Sequence, residues 1–174
     1  IPEKLYPTTW ITDLTIDCLE RYARDNQPFF IQCGYTDPHH PFTPPGKYWD
    51  MYDPADIPAP SSLGIKHNNP PPFIANLQGS LADGTANRTY VHPYAVTEQE
   101  ARESIALTYG MISMIDDGVG KITQKLDELG LRENTIIVYT SDHGDIMGDH
   151  GIMLKHGLHS EGVSFHNDGA RYRY

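Results

Sequence analysis

Thr135-Ile136-Ile137-Val138-Tyr139-Thr140-Ser141-Asp142-His143-Gly144-Asp145 joins a β-branched, almost wholly apolar run to a polar turn. The run reads as a strand covered on both faces, which is the mark of a parallel sheet. The turn then falls at the carboxyl end of that strand, where open α/β sheets bind ligands. A carboxylate and an imidazole side by side there, Asp142 and His143, can turn toward one cation, and Gly144 relieves crowding. Carboxylate oxygens favour Ca²⁺ or Mg²⁺, and an added imidazole admits Mn²⁺ or Zn²⁺. Read without a cation, Asp142 caps the next turn and His143 is an ordinary loop residue. Spacing alone leaves both readings open.

Upstream, Thr97-Glu98-Gln99-Glu100 has the form of a capping box. After it, Ile105, Tyr109, Ile112, Ile115, Val119, Ile122, Leu126 and Leu129 keep helical spacing, and Gly130 suits a left-handed cap. Asp116 and Asp117 lie about 100° apart around that helix, so they do not grip one ion together. They read as a polar edge or as contacts to a neighbouring loop.

Further upstream, Ile11, Leu14, Cys18 and Tyr22 place a helix over 11–25, broken by Asn26-Gln27-Pro28. Residues 29–35, Phe-Phe-Ile-Gln-Cys-Gly-Tyr, read as a second buried strand. The stretch Thr36-Asp37-Pro38-His39-His40-Pro41-Phe42-Thr43-Pro44-Pro45-Gly46 is too rich in proline for a helix or a central strand and forms a stiff loop. Residues 53–95 read as long irregular chain. The order helix, strand, long loop, helix, strand is that of an α/β domain with a parallel sheet. Both polar clusters, Asp37 to His40 and Ser141 to Asp145, then lie at carboxyl strand ends, which is the reason to take them as one site.

Histidine donates protons near neutral pH, so His39 or His40 suits an acid's role. Lys155, with His156 and His159, can form an anion pocket beside a cation, or a solvated basic segment. The chain of 174 residues is long enough for one domain with a core, and its net charge of −10 argues against nucleic acid and anionic membranes. No apolar run approaches the roughly 18 residues of a membrane span. Two cysteines, Cys18 and Cys33, are too few for a disulfide framework and read as small buried thiols. The amino terminus, Ile1-Pro2-Glu3-Lys4, has neither an initiator Met nor an apolar leader, so the sequence reads as a piece of a longer chain. Compartment and oligomeric state are left open.

Together, Phe29-Phe30-Ile31, Pro38-His39-His40-Pro41-Phe42, Tyr109-Gly110-Met111-Ile112, Ile115-Asp116-Asp117 and Glu128-Leu129-Gly130-Leu131 resemble the sulfatase family of the alkaline phosphatase superfamily. So do Thr140-Ser141-Asp142-His143-Gly144-Asp145, Gly148-Asp149-His150-Gly151, Lys155 and Glu161-Gly162. The resemblance implies an alkaline-phosphatase-like three-layer α/β/α sandwich with a mostly parallel sheet, present here in part. Residues 1–163 would be a partial catalytic domain with 53–95 as an insertion, and 164–174 an unassigned tail. It also implies a parent enzyme that hydrolyses small sulfate esters. Asp142 and His143 match ligands of the family's divalent cation, Ca²⁺ first and Mn²⁺ as the alternative. His39 matches the histidine near the leaving group, Lys155 the lysine on the sulfate oxygens, and His159 a histidine seen in part of the family.

The family's nucleophile is a formylglycine made from Cys, or a Ser, in a Cys/Ser-x-Pro/Ala-x-Arg motif. Neither Cys18 nor Cys33 stands in that context. The expected formylglycine therefore belongs to the parent protein, and this chain alone is expected to be inactive. Two rivals remain at this stage: a phosphonate monoester or phosphodiester hydrolase of the same superfamily, and a noncatalytic fragment.

Overall fold

A computed structural model describes residues 1–65, 68–86, 88 and 93–155. Its elements are α1 (Pro7–Arg24), α2 (Pro72–Ala82), β1 (Tyr94–Ala95), α3 (Glu98–Glu128) and β2 (Ile152–Met153), with short 3₁₀ turns between them. The chain divides into two units. The first holds Ile1–Tyr52 and Ala106–Thr140; the second holds Asp53–Ile105 and the described residues from Ser141.

In the first unit α1 carries a buried face of Thr8, Thr12, Thr15 and Leu19. The apolar stripe expected from sequence lies elsewhere on the helix: Leu14 is exposed, and Ile11, Cys18 and Tyr22 are half-buried. The reason is the segment that α1 meets. Residues 29–36 carry no helix or turn and lead into a turn at Asp37, and burial alternates strictly, with Phe29, Ile31, Cys33, Tyr35 and Asp37 half-buried and the residues between them exposed. Four helical residues rise about 6 Å and two extended residues about 6.6 Å, so the two periods match.

The matching contacts descend in order. The Thr8 hydroxyl donates to Asp37 Oδ2, Thr12 Oγ1 lies 2.9 Å from the Tyr35 hydroxyl, and Thr15 Oγ1 lies 3.3 Å from Cys33 Sγ. Tyr22 stacks on Phe29 at 6.1 Å between ring centroids. Buried hydroxyls need partners. The threonines find them there and, for Thr12 and Thr15, also in the carbonyls of Thr8 and Ile11, both at 2.8 Å.

Tyr6, Tyr48 and Met114 form the apolar centre of this unit. Asp117 serves as the loop contact anticipated from sequence: its Oδ2 accepts from Lys47 Nζ at 2.8 Å and from the Tyr48 hydroxyl at 2.6 Å. Those two donors hold the Asp117 carboxyl below the usual carboxylate range.

In the second unit, Ile57, Ile74, Ala95, Val96, Ala101, Ile152, Met153 and Leu154 are buried. β1 and β2 pair antiparallel, Tyr94 opposite Met153 and Ala95 opposite Ile152. The capping box is present, with Glu100 Oε2 accepting from Thr97 N at 2.8 Å and Glu100 N donating to Thr97 Oγ1 at 3.3 Å. Thr97→Ala is therefore expected to cost about 1 kcal/mol in denaturant unfolding of the intact protein. A change under about 0.3 kcal/mol would show that α3 does not depend on this cap. Past the end of α3 at Glu128, Gly130 takes the left-handed conformation, φ 68°, as its sequence suggests.

Three expectations are corrected. The segment 53–95 is not wholly irregular, since α2 lies within it. Cys18 and Cys33 are free thiols but only half-buried. Neither 29–35 nor 135–140 is a strand, and the one ladder among the described residues is antiparallel rather than part of a parallel sheet. Phe30 is 94% exposed, Ile136 93% and Val138 79%. β-Branched and aromatic residues keep such runs extended. A strand also needs a neighbour's N–H and C=O groups, and no described residue offers them. No helix among the described residues is long and apolar enough to cross a membrane.

Candidate functional site

In the first unit, the extended segment ends in the histidine loop. Asp37, its last half-buried residue, receives the Thr8 hydroxyl on Oδ2 and the Tyr6 hydroxyl on Oδ1 at 3.4 Å. Burial pushes the Asp37 carboxyl above its ordinary value, while the two hydroxyl hydrogen bonds pull the other way. Burial, with the neighbouring Asp37 charge, pushes the Tyr6 phenol up to about 12, so it stays protonated as a donor at neutral pH.

The chain then turns, His39 N donating to Thr36 O at 3.1 Å. His39 Nδ1 lies 2.7 Å from the His40 carbonyl oxygen, and the two rings stack at 4.0 Å between centroids. A carbonyl only accepts, so Nδ1 carries the proton in that bond and Nε2 is the nitrogen left for chemistry. The His39 side chain stands exposed. As imidazolium, with a proton on each nitrogen, it would present Nε2–H as an acid on a stiff loop.

In the second unit, Asp142 and His143 are brought together. His143 N donates to Asp142 Oδ1 at 2.9 Å, and His143 Nε2 lies 3.3 Å from Asp142 Oδ2. His143 Nδ1 lies 2.8 Å from the Gly144 carbonyl oxygen, which assigns that nitrogen the proton and turns Nε2 toward the carboxylate. The Asp142 side chain is 82% exposed and that of His143 48%. The backbone hydrogen bond from His143 leads in holding Asp142 below the usual carboxylate range, and the charge of Lys155 adds to it. Asp142 is thus ionised at neutral pH, with an imidazole nitrogen beside it and solvent in front. One carboxylate oxygen and one imidazole nitrogen fit part of a divalent-cation shell. Among the described residues, no group of three or more His, Cys, Asp or Glu side chains is placed to hold a metal ion.

Gly148-Asp149-His150-Gly151 takes a role the sequence reading missed. Asp149 Oδ1 accepts from Ser62 Oγ at 2.6 Å, and Ser62 Oγ accepts from His150 N at 3.0 Å. Gln78 Nε2 donates to the His150 carbonyl at 3.1 Å. Gly148 sits at φ 92°, and a Cβ there would lie 2.8 Å from Ala101 Cβ. The motif is therefore a hook that seizes the 53–95 segment and feeds β2, after whose buried Ile152, Met153 and Leu154 comes half-buried Lys155. Nothing local in the sequence marks Ser62, which stands 87 residues from its partner.

His39 lies in the first unit, and Asp142, His143 and Lys155 in the second. His159 and the tail 164–174 lie outside the described residues.

Comparison with known proteins matches residues 3–171 to the sulfatase family model. The chain is 34% identical over 168 residues to the multifunctional alkaline phosphatase superfamily protein PehA of Trinickia caryophylli, covering 92% of this chain and 32% of that protein. It is 35% identical over 161 residues to an arylsulfatase of Clostridium perfringens (strain 13 / Type A), covering 92% and 31%. Against iduronate 2-sulfatase of Homo sapiens it is 31% identical over 161 residues, covering 90% and 29%. The chain spans about a third of the length of these curated relatives. The family match implies an α/β fold of the alkaline phosphatase type. With a match that runs nearly end to end, this chain belongs to the sulfatase family.

Proposed function

We propose that the whole protein is a sulfuric ester hydrolase acting on a small sulfate ester. In that reaction the bond between sulfur and the alcohol oxygen breaks, and ROSO₃⁻ with water gives ROH, SO₄²⁻ and a proton. Lys155 holds the sulfate oxygens by its ammonium charge, with His159 as a further contact. His39 gives the departing oxygen a proton. Asp142 and His143 are the residues here that would hold a divalent cation, Ca²⁺ first and Mn²⁺ as the alternative. When bound, such an ion supplies positive charge against the sulfate oxygens. The nucleophile, read as a formylglycine, is carried by a Cys not found in this sequence. The full fold is read as a three-layer α/β/α sandwich with a mostly parallel sheet, a reading that the family match supports.

The observation that carries the reading is the open Asp142–His143 pair, an oxygen and a nitrogen donor 3.3 Å apart, in a chain of sulfatase type. A second reading keeps the site and changes the ester to a phosphonate monoester or phosphodiester; the likeness to a superfamily protein named as multifunctional leaves room for it. The test is to assay the full-length protein on 4-nitrophenyl sulfate, phenyl phosphonate esters and bis(4-nitrophenyl) phosphate side by side. A kcat/KM at least about tenfold higher for sulfate is expected, about 1.4 kcal/mol of discrimination. The reverse order would favour the second reading. The 174 residues expressed alone are expected to show no turnover, because neither Cys18 nor Cys33 stands in a nucleophile motif; robust arylsulfatase activity would refute this.

A further inference from the structure

We propose that Asp37 is the positioning residue for His39, anchoring the histidine loop to the first turn of α1 through the hydroxyls of Thr8 and Tyr6. The inference deepens the reading of His39 as the leaving-group acid and rests on it.

The argument begins with register. The contacts Tyr22–Phe29, Thr15–Cys33, Thr12–Tyr35 and Thr8–Asp37 hold the extended segment to α1 at matching intervals. Asp37 is the last of them and stands two residues before His39. Only Pro38 stands between, with its φ locked by the ring. A displacement at Asp37 is therefore passed to His39 with little slack.

Asp37 does not orient the ring by direct contact, as a carboxylate does in a Ser-His-Asp arrangement. Its two oxygens are engaged by Thr8 and Tyr6. The ring's Nδ1 is engaged by the His40 carbonyl instead. Asp37 thus fixes where the loop's backbone lies, and the loop's own carbonyl fixes how the ring is turned.

The two hydroxyl donors come from residues on either side of the helix start: Tyr6 just before α1 and Thr8 in its first turn. Both are buried and fixed, Thr8 at 1% exposure and Tyr6 at 6%. Tyr6 also belongs to the cluster with Tyr48 and Met114. The anchor therefore ties His39 to the firmest part of its unit. An acid must sit within hydrogen-bond reach of the oxygen that it protonates, and a misplacement of about 1 Å can cost about 10²-fold in rate.

The test uses the full-length protein with two aryl sulfates, one with a weakly basic leaving oxygen (4-nitrophenyl sulfate) and one with a strongly basic one (phenyl sulfate). A leaving oxygen of low basicity needs little help from an acid. His39→Ala is expected to cost about 10²-fold or more on phenyl sulfate and only a few-fold on 4-nitrophenyl sulfate. Asp37→Ala and Thr8→Val are expected to show the same selectivity at smaller size, about tenfold or more on phenyl sulfate. Thr8→Ser restores the hydroxyl and is expected to restore the rate. The double variant Asp37→Ala, His39→Ala is expected to match His39→Ala alone, because the anchor acts only through that ring.

Equal losses on both esters for Asp37→Ala and Thr8→Val, with His39→Ala selective, would overturn the inference and leave His39 as the acid. Losses that multiply in the double variant would overturn it too. A His39→Ala variant that affects both esters alike would bring down the reading of His39 and this inference with it.

Discussion

Lys155→Ala in the full-length protein is expected to lower kcat/KM for a sulfate ester by about 10²–10³-fold. The lysine follows β2, in which Ile152 and Met153 are buried and paired with β1, so its backbone is held even though its side chain is only half-buried. Its charge reaches Asp142, where it helps keep the carboxyl ionised. On the proposed reading, a cation held there would neutralise the sulfate oxygens and the charge that develops on the departing alcohol oxygen. Losing one preorganised donor of this kind costs about 2.7–4 kcal/mol of transition-state stabilisation. Steady-state kinetics beside circular dichroism would separate this from misfolding. A folded variant within about threefold of wild type would remove Lys155 from the anion site.

Gly110→Ala is expected to destabilise the protein by about 3 kcal/mol or more, although the substitution adds a single methyl group to a helix. In isolation it would stabilise α3, since Ala forms helix better than Gly by about 1 kcal/mol. Here a Cβ would lie 2.1 Å from the Tyr48 carbonyl oxygen and 3.3 Å from Pro44 Cγ. Real contacts do not come that close, so either the helix or the 44–48 backbone has to move. Tyr48 cannot move freely: it is 2% exposed, packs with Tyr6 and Met114, and donates its hydroxyl to Asp117. Burial, aided by Asp117, pushes that phenol up to about 12, so the donor persists through neutral pH. Urea or guanidinium unfolding of the full-length protein would measure the cost. A loss under about 0.5 kcal/mol would mean that Tyr48 yields and that the close approach is not a constraint.

The same glycine shows how sequence and structure divide the account. Tyr109-Gly110-Met111 stood out by resemblance to sulfatases, yet no spacing rule says what Gly110 is for. The helical stripe read through Tyr109 and Ile112 is correct in period but displaced in part. Both residues are exposed, and Tyr109 meets Tyr52 edge to face at 5.5 Å. Ala101, Thr108 and Met111 take buried places beside Ile105 and Ile115. The close approach of the 44–48 backbone at Gly110 sets which side of the helix is covered, and that side includes Met111 and Met114 rather than Tyr109 and Ile112.

The sequence by itself determined what depends on near neighbours along the chain. The capping box of Thr97 and Glu100, the stop at Gly130, the stiff loop around His39 and the adjacent donors Asp142 and His143 are all made within a few residues, by hydrogen bonds or by proline. The order of motifs was also enough to name the family. Only the tertiary structure decided which face of α1 is buried, why Asp149 needs Ser62, what Asp117 holds and where Asp37 is anchored. These are contacts between residues dozens of positions apart, and their pairing depends on matching two periods in space. For the two apolar runs, local preference drew the chain out straight, but a sheet is a property of neighbouring strands and not of one strand alone.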